Sequence, residues 1–234
     1  MSGASLNRRA LLLAAGATPA AALPAAAAPA PANATPPAAT AAAPDAMLVL
    51  SDTEAAFLAA TADCMIPADE LSPSGSDCGI VTYIDRQLAS AWGGGARLYR
   101  GGPHPAGTPQ QGTQTLMTPR ETLVSGIAEA NRWCRETHGA TFDALTVEAR
   151  NTALEQIESG AASFDGVHPQ AFFELLLQLT MEGMFADPIY GGNRNLAGWK
   201  LLGFPGLPAT YADKIVAYRG KRYDAAPRSI ADFL

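Results

Sequence analysis

Few side chains in this 234-residue sequence are placed for chemistry. Asp69 and Glu70 are adjacent acids that could share general acid and base work. Their setting, the loop Pro67-Ala68-Asp69-Glu70-Leu71-Ser72-Pro73-Ser74-Gly75, more readily suits solvated acids or carboxylates that accept turn N–H groups. His104 lies in a Gly/Pro-rich loop, His138 near the end of a helix and His168 just before the start of another. A charged His138 would complement the negative end of its helix. None of the three has a visible nucleophile or orienting partner. No CxxC, CxxCH, metal-spaced histidine pair, GxGxxG or GK[ST] occurs. The expectation is that this chain holds no catalytic, cofactor-binding or metal-binding residue.

Two further groups could bind rather than react. Cys64 and Cys78 bracket the Pro/Ser/Gly-rich loop. They are either a disulfide, which would stabilise by roughly 2–4 kcal/mol, or two buried free thiols. Cys134 is the odd cysteine, either buried in its helix or available to a partner chain, and its helical neighbourhood points to burial. The run Asp187-Pro188-Ile189-Tyr190-Gly191-Gly192-Asn193-Arg194-Asn195 sets an aromatic, an arginine and amides on glycine-flexed backbone. Tyr190 and Arg194, with Trp199 just beyond, are the residue types that anchor protein interfaces. The other reading of this run is a complex turn that stitches the C-terminal segment onto the core.

The elements that must position these residues read as helices. Ser51-Asp52-Thr53-Glu54 is a capping box, followed by Phe57, Leu58, Thr61 and Met65 at helical spacing and ended by Pro67. Residues 80–92 form a second helix with Ile80, Tyr83, Ile84, Leu88 and Trp92 on one side, stopped by Gly93. Residues 93–117 are a long Gly/Pro/Gln connection of the kind that often binds something. Thr118-Pro119-Arg120-Glu121 combines a capping box with proline at the first helical position. That helix runs through Leu123, Ile127, Ala130 and Cys134 towards Gly139. Another begins at Thr146 and ends at Gly160. His168-Pro169 opens the most apolar helix, Phe172-Phe173-Glu174-Leu175-Leu176-Leu177-Gln178-Leu179, expected to be central and buried nearly all round. No stretch alternates like a strand. The fold class is all-α, about five helices in one compact domain with long loops.

Ahead of this domain, Asn7-Arg8-Arg9-Ala10-Leu11-Leu12-Leu13 precedes an Ala-diluted apolar stretch with A-x-A-like sites such as Ala30-Pro31-Ala32. Arg8 and Arg9 read as a twin-arginine (Tat) export signal, the route for proteins already folded. An unfolded-secretion signal is the alternative; an uncleaved span is disfavoured because Pro19 and Pro24 interrupt the stretch short of roughly 20 apolar residues. The division is residues 1–32 as signal peptide, 33–47 as a disordered Ala/Pro linker and 48–234 as the all-α domain. Formal net charge is −6, and −8 without the two leader arginines, which argues against nucleic acid or an anionic membrane surface as partner.

The run from Phe172 through Glu182-Gly183-Met184-Phe185-Ala186-Asp187-Pro188-Ile189-Tyr190-Gly191-Gly192-Asn193-Arg194 to Gly198-Trp199-Lys200-Leu201-Leu202-Gly203-Phe204-Pro205-Gly206 resembles the gluconate 2-dehydrogenase subunit 3 family. Ile66-Pro67-Ala68-Asp69-Glu70 and Tyr99-Arg100-Gly101-Gly102-Pro103 are similar to it as well. The resemblance implies a non-catalytic small (gamma) subunit of a membrane-associated dehydrogenase of sugars or sugar acids. It implies a large partner of the glucose–methanol–choline type that holds FAD, and a multihaem cytochrome c subunit that anchors the assembly and passes electrons to quinone. It further implies that the large subunit lacks an export signal and crosses to the periplasm on the small subunit's Tat leader. Contact is expected through residues 93–117 and 187–206, with Tyr190, Arg194 and Trp199 as anchors. The rival readings are a free-standing exported enzyme working through Asp69 and Glu70 or a histidine, and an electron-transfer module.

Overall fold

The computed structural model describes residues 46–96, 98, 101–103, 107–108, 116–208 and 210–234. Arg8, Arg9, the leader, almost all of the linker, His104 and much of the 93–117 connection lie outside the described residues. Seven α-helices are present among the described residues: α1 (Asp52–Met65), α2 (Ile80–Ala89), α3 (Pro119–His138), α4 (Val147–Glu158), α5 (Pro169–Phe185), α6 (Ala197–Leu202) and α7 (Ala212–Ala217). The five longer ones are those expected from apolar spacing. Among the described residues β-pairing is limited to an isolated bridge between Gly206 and Arg228, so the all-α class holds.

The helix starts follow their local chemistry. Glu54 N donates to Ser51 Oγ at 3.4 Å while Glu54 Oε2 accepts from Ser51 N at 2.7 Å. Thr118 and Glu121 make the same reciprocal pair at the head of α3, ahead of a proline that has no N–H to orphan. Thr146 caps α4 through its hydroxyl.

The second helix stops three residues before Trp92. Ser90 leaves the helical region, and its hydroxyl donates back to Gln87 O at 2.6 Å. The Arg120 guanidinium then binds the free Leu88 carbonyl from α3, its Nε at 2.9 Å. A side chain is satisfying a helix-end acceptor that the chain itself leaves open.

The helix α5 lies at the centre, packed against α1, α2, α3, α4 and α6. Phe57, Phe142 and Phe172 meet between these helices with ring centroids 4.7 and 6.1 Å apart. Gly126 brings α3 against this cluster, because a Cβ there would come within 2.1 Å of the Phe172 ring. Burying each ring is worth roughly 1.5–3 kcal/mol.

The expectation that α5 is buried nearly all round needs correction. Phe172, Leu176 and Leu179 are fully buried, but Leu177 is 42% and Met181 45% exposed. Those two residues, one turn apart, fall on a side that no neighbouring helix among the described residues covers. No helix among the described residues is long and apolar enough to cross a membrane.

Candidate partner-docking surface

The expected chemical residues do not converge. Asp69 Oδ1 accepts the N–H groups of Leu71 and Ser72 at 2.8 and 2.9 Å, an Asx-type turn that matches the backbone-acceptor reading of this acid. Glu70 is exposed beside it. His138 packs edge-on to Trp133 with centroids 5.4 Å apart, its Nε2 buried without a hydrogen-bond partner. His168 is an exposed N-cap residue whose side chain makes no cap bond. Among the described residues no group of three His, Cys, Asp or Glu side chains is arranged to hold a metal.

The proposed Cys64–Cys78 bridge is not formed; all three cysteines stand as thiols. The reason lies in helix geometry. Asp63 is the residue of α1 that faces the loop, accepting from Ser76 N at 2.8 Å and Ser76 Oγ at 3.1 Å. Cys64 follows it by one position and so points about 100° away, towards Arg150 on α4. Burial pushes its thiol up, with Arg150 pulling the other way. Cys78 is buried with its thiol directed at Pro73 O, 3.8 Å away. Cys134 is buried in α3 as expected.

The segment after α5 is held by a dense set of hydrogen bonds. Asn193 is fully buried in the left-handed region at φ 46°. Its N–H donates to Gly183 O at 2.8 Å, its Nδ2 to Ala186 O at 2.8 Å, and its Oδ1 accepts from Gly198 N at 2.8 Å. One side chain therefore ties the end of α5 to the start of α6. Asparagine is the residue that visits this backbone region most readily after glycine. Gly192 is required beside it, because a Cβ would meet Gly183 O at 2.2 Å. Asp187 completes the knot, with Oδ1 accepting from Ile189 N and Oδ2 from Ile230 N, 43 residues on.

The three expected anchors play different parts. Trp199 is only 6% exposed; its Nε1 donates to Phe185 O at 2.7 Å and its ring meets Phe204 edge-on. Its indole is spent inside the chain, which corrects its assignment as a contact residue. Arg194 lies over Gly79, its N–H donating to Cys78 O at 3.0 Å and its Nη2 to Thr82 Oγ1 at 3.1 Å, so it clamps the segment to α2. Tyr190 is outward, 50% exposed, and Arg194 keeps an exposed surface while making this clamp. Both readings of this run therefore apply to different residues.

Other exposed side chains lie on α5 and next to Tyr190, around the buried Tyr83. Tyr83 donates to Glu182 Oε2 at 3.1 Å, and burial and the Glu182 charge push this phenol far up, so it remains a donor. Gln178 Nε2 donates to Glu182 Oε1 at 2.8 Å. Leu177 and Met181 flank these on α5, and Ile189 adjoins Tyr190. Apolar contacts around a few oriented polar groups are the make-up of a protein interface core.

Sequence reasoning missed three features. Asp85, buried on α2, accepts the N–H groups of Leu48, Val49 and Leu50 at 2.7, 3.0 and 3.0 Å and fixes where the chain enters the body. It interrupts the apolar side of α2, which was the available signal. Asn193 carried no such signal. Tyr211, Tyr218 and Tyr223 cluster near the C-terminus with ring centroids 6.1 and 4.8 Å apart, and three of six tyrosines within 13 residues was a compositional cue.

Fold and surface together define an all-helical body with exposed apolar side chains near a densely hydrogen-bonded knot. The family model described as gluconate 2-dehydrogenase subunit 3 matches residues 52–206, from the first residue of α1 through the knot. The chain belongs to the gluconate 2-dehydrogenase subunit 3 family, and is an accessory subunit of the gluconate 2-dehydrogenase kind. No curated protein and no solved structure matches it.

Proposed function

We propose that this chain is the non-catalytic small subunit of a periplasmic, membrane-associated dehydrogenase of sugars or sugar acids, and that it escorts the FAD-holding large subunit through the Tat translocase. The observation that carries this reading is the family match across the helical body and knot. The twin arginines Arg8 and Arg9 support the export route, because that route accepts folded cargo. The strip of Leu177, Met181, Ile189 and Tyr190 supports the docking role: it is apolar, exposed and backed by side chains that are already fixed. FAD belongs to the large partner and haem c to a cytochrome partner, neither to this chain.

Affinity purification of the full chain from its native membranes tests the assembly. A yellow flavoprotein and a red cytochrome should elute with it; elution of the chain alone would refute the subunit role. Arg8→Lys with Arg9→Lys should leave both this chain and the flavoprotein inside the cytoplasm. A flavoprotein that still reaches the periplasm would rule out the escort role.

A further inference from the structure

A second surface lies almost wholly beyond the family match. Phe204, Ile215 and the three tyrosines Tyr211, Tyr218 and Tyr223 line a groove of about 410 Å³, with Lys214 and Lys221 on its lining. It is a built feature: Tyr211 donates its hydroxyl to Gly206 O, and Tyr223 stacks edge-on between Tyr211 and Tyr218. The floor is tied to the knot, since Leu207 N donates to Arg228 O and Ile230 N to Asp187 Oδ2, both at 2.8 Å. Ile215 and Val216 of α7 remain exposed at its edge.

Charge identifies the occupant. Residues 211–224 carry four basic side chains, Lys214, Arg219, Lys221 and Arg222, against Asp213 and Asp224, whereas the whole chain has 16 basic and 22 acidic residues. All four are exposed, and none has an ion-pair partner among the described residues. A basic surface on an otherwise acidic chain selects acidic partners and disfavours a symmetric pairing of this face with the same face of a second copy. A small molecule is a poor fit, because the lining supplies no convergent set of hydrogen-bonding groups. An apolar aromatic groove with cationic rims fits an extended peptide that carries a bulky side chain between acids.

We infer that the groove of Tyr211, Tyr218 and Tyr223 docks an acidic, aromatic- or leucine-bearing segment of the flavoprotein large subunit. This rests on the subunit role proposed above and adds a contact separate from the Tyr190 strip. Phe204, which packs on Trp199 and lines the groove, joins the two surfaces.

The test compares full-length wild type with the Lys214→Glu/Lys221→Glu variant, each immobilised and titrated with the purified flavoprotein over a range of salt. Circular dichroism and thermal melting establish that the variant is folded; both lysines are exposed, so its fold should survive. Wild-type affinity should fall with salt, and the variant should bind at least tenfold more weakly at low salt with the gap closing at high salt. A benzophenone side chain introduced at Tyr218 should crosslink to an Asp/Glu-rich peptide of the flavoprotein. Equal binding of a folded variant at every salt would overturn the groove assignment while leaving the subunit role intact. Wild type that binds no flavoprotein would overturn both. A crosslink to a second copy of this chain, or salt-sensitive binding to anionic phosphatidylglycerol vesicles in place of the flavoprotein, would also overturn it.

Discussion

Residues 52–185 are held by apolar burial, spread over Phe57, Leu88, Ile127, Phe142, Phe172, Leu176 and many others. Residues 186–206 bury little apolar surface besides Trp199 and are held by a few polar atoms, chiefly those of Asn193, Asp187 and Arg194. The first arrangement is redundant: losing one side chain leaves a cavity whose cost depends on how far its neighbours relax. The second is not, because each hydrogen-bonding group has one partner in one place and no substitute. A body that tolerates adjustment thus supports a rigid knot, and the exposed Tyr190 inherits that rigidity. Preorganised contact residues lose less freedom on binding.

Phe172→Ala should be the most damaging single change, costing about 4 kcal/mol in denaturant unfolding. It should destabilise body and knot together, since the ring lies at the shared centre on α5. If hydrogen exchange slowed or stayed unchanged in α1 and α3, the picture of one redundant core would fail. Asn193→Ala should cost about 3 kcal/mol, because it strands a buried carbonyl and a buried N–H and places alanine in the left-handed region. Here the fast exchange should be confined to residues 183–206, with α1 to α4 protected as in wild type. Uniform exposure of all helices would mean that the knot and body are not separable.

A smaller effect concerns pH. Burial pushes the Cys134 thiol up to about 11 from its ordinary 9.0. The folded chain holds that proton more tightly than the unfolded chain, so stability should decline as pH rises from about 9 towards 11. Cys134→Ala should flatten that part of the pH profile; an unaltered slope would show that the thiol is not its source. The same burial keeps Cys134 from reaching a partner thiol, so alkylation of the native chain at neutral pH should spare it. Tyr190→Ala should be the mildest change for the fold, within about 0.5 kcal/mol, while weakening flavoprotein capture by about tenfold or more, as a hot-spot truncation does. Unchanged capture would remove the Tyr190 strip from the docking surface.

The capping boxes at Ser51 and Thr118, the proline at the head of α3 and the apolar spacing from Phe57 to Leu179 made the five longer helices legible, since each signal involves residues within about one turn of each other. The same locality explains where legibility ended. Cys64 and Cys78 bracket a loop in sequence, yet the side of α1 that faces the loop belongs to Asp63. Trp199 has the composition of an interface anchor, yet the nearest acceptor for its indole is the last carbonyl of α5. The exposure of Leu177 and Met181 depended on how many helices could reach one side of α5, which periodicity alone does not specify.

The amino-acid sequence by itself determined the helical class, the starts of the five longer helices and the resemblance to the subunit 3 family, because short-range hydrogen bonding and apolar periodicity are written in neighbouring residues. Only the tertiary structure decided that Trp199 is buried while Tyr190 and Arg194 are exposed, and that Asn193 locks the knot. It also decided that Tyr211, Tyr218 and Tyr223 close into a basic-rimmed groove. Those outcomes depend on which donor meets which acceptor across separations of up to 112 residues, as between Arg194 and Thr82. A distance that long is settled by packing and carries no mark in the residues on either side.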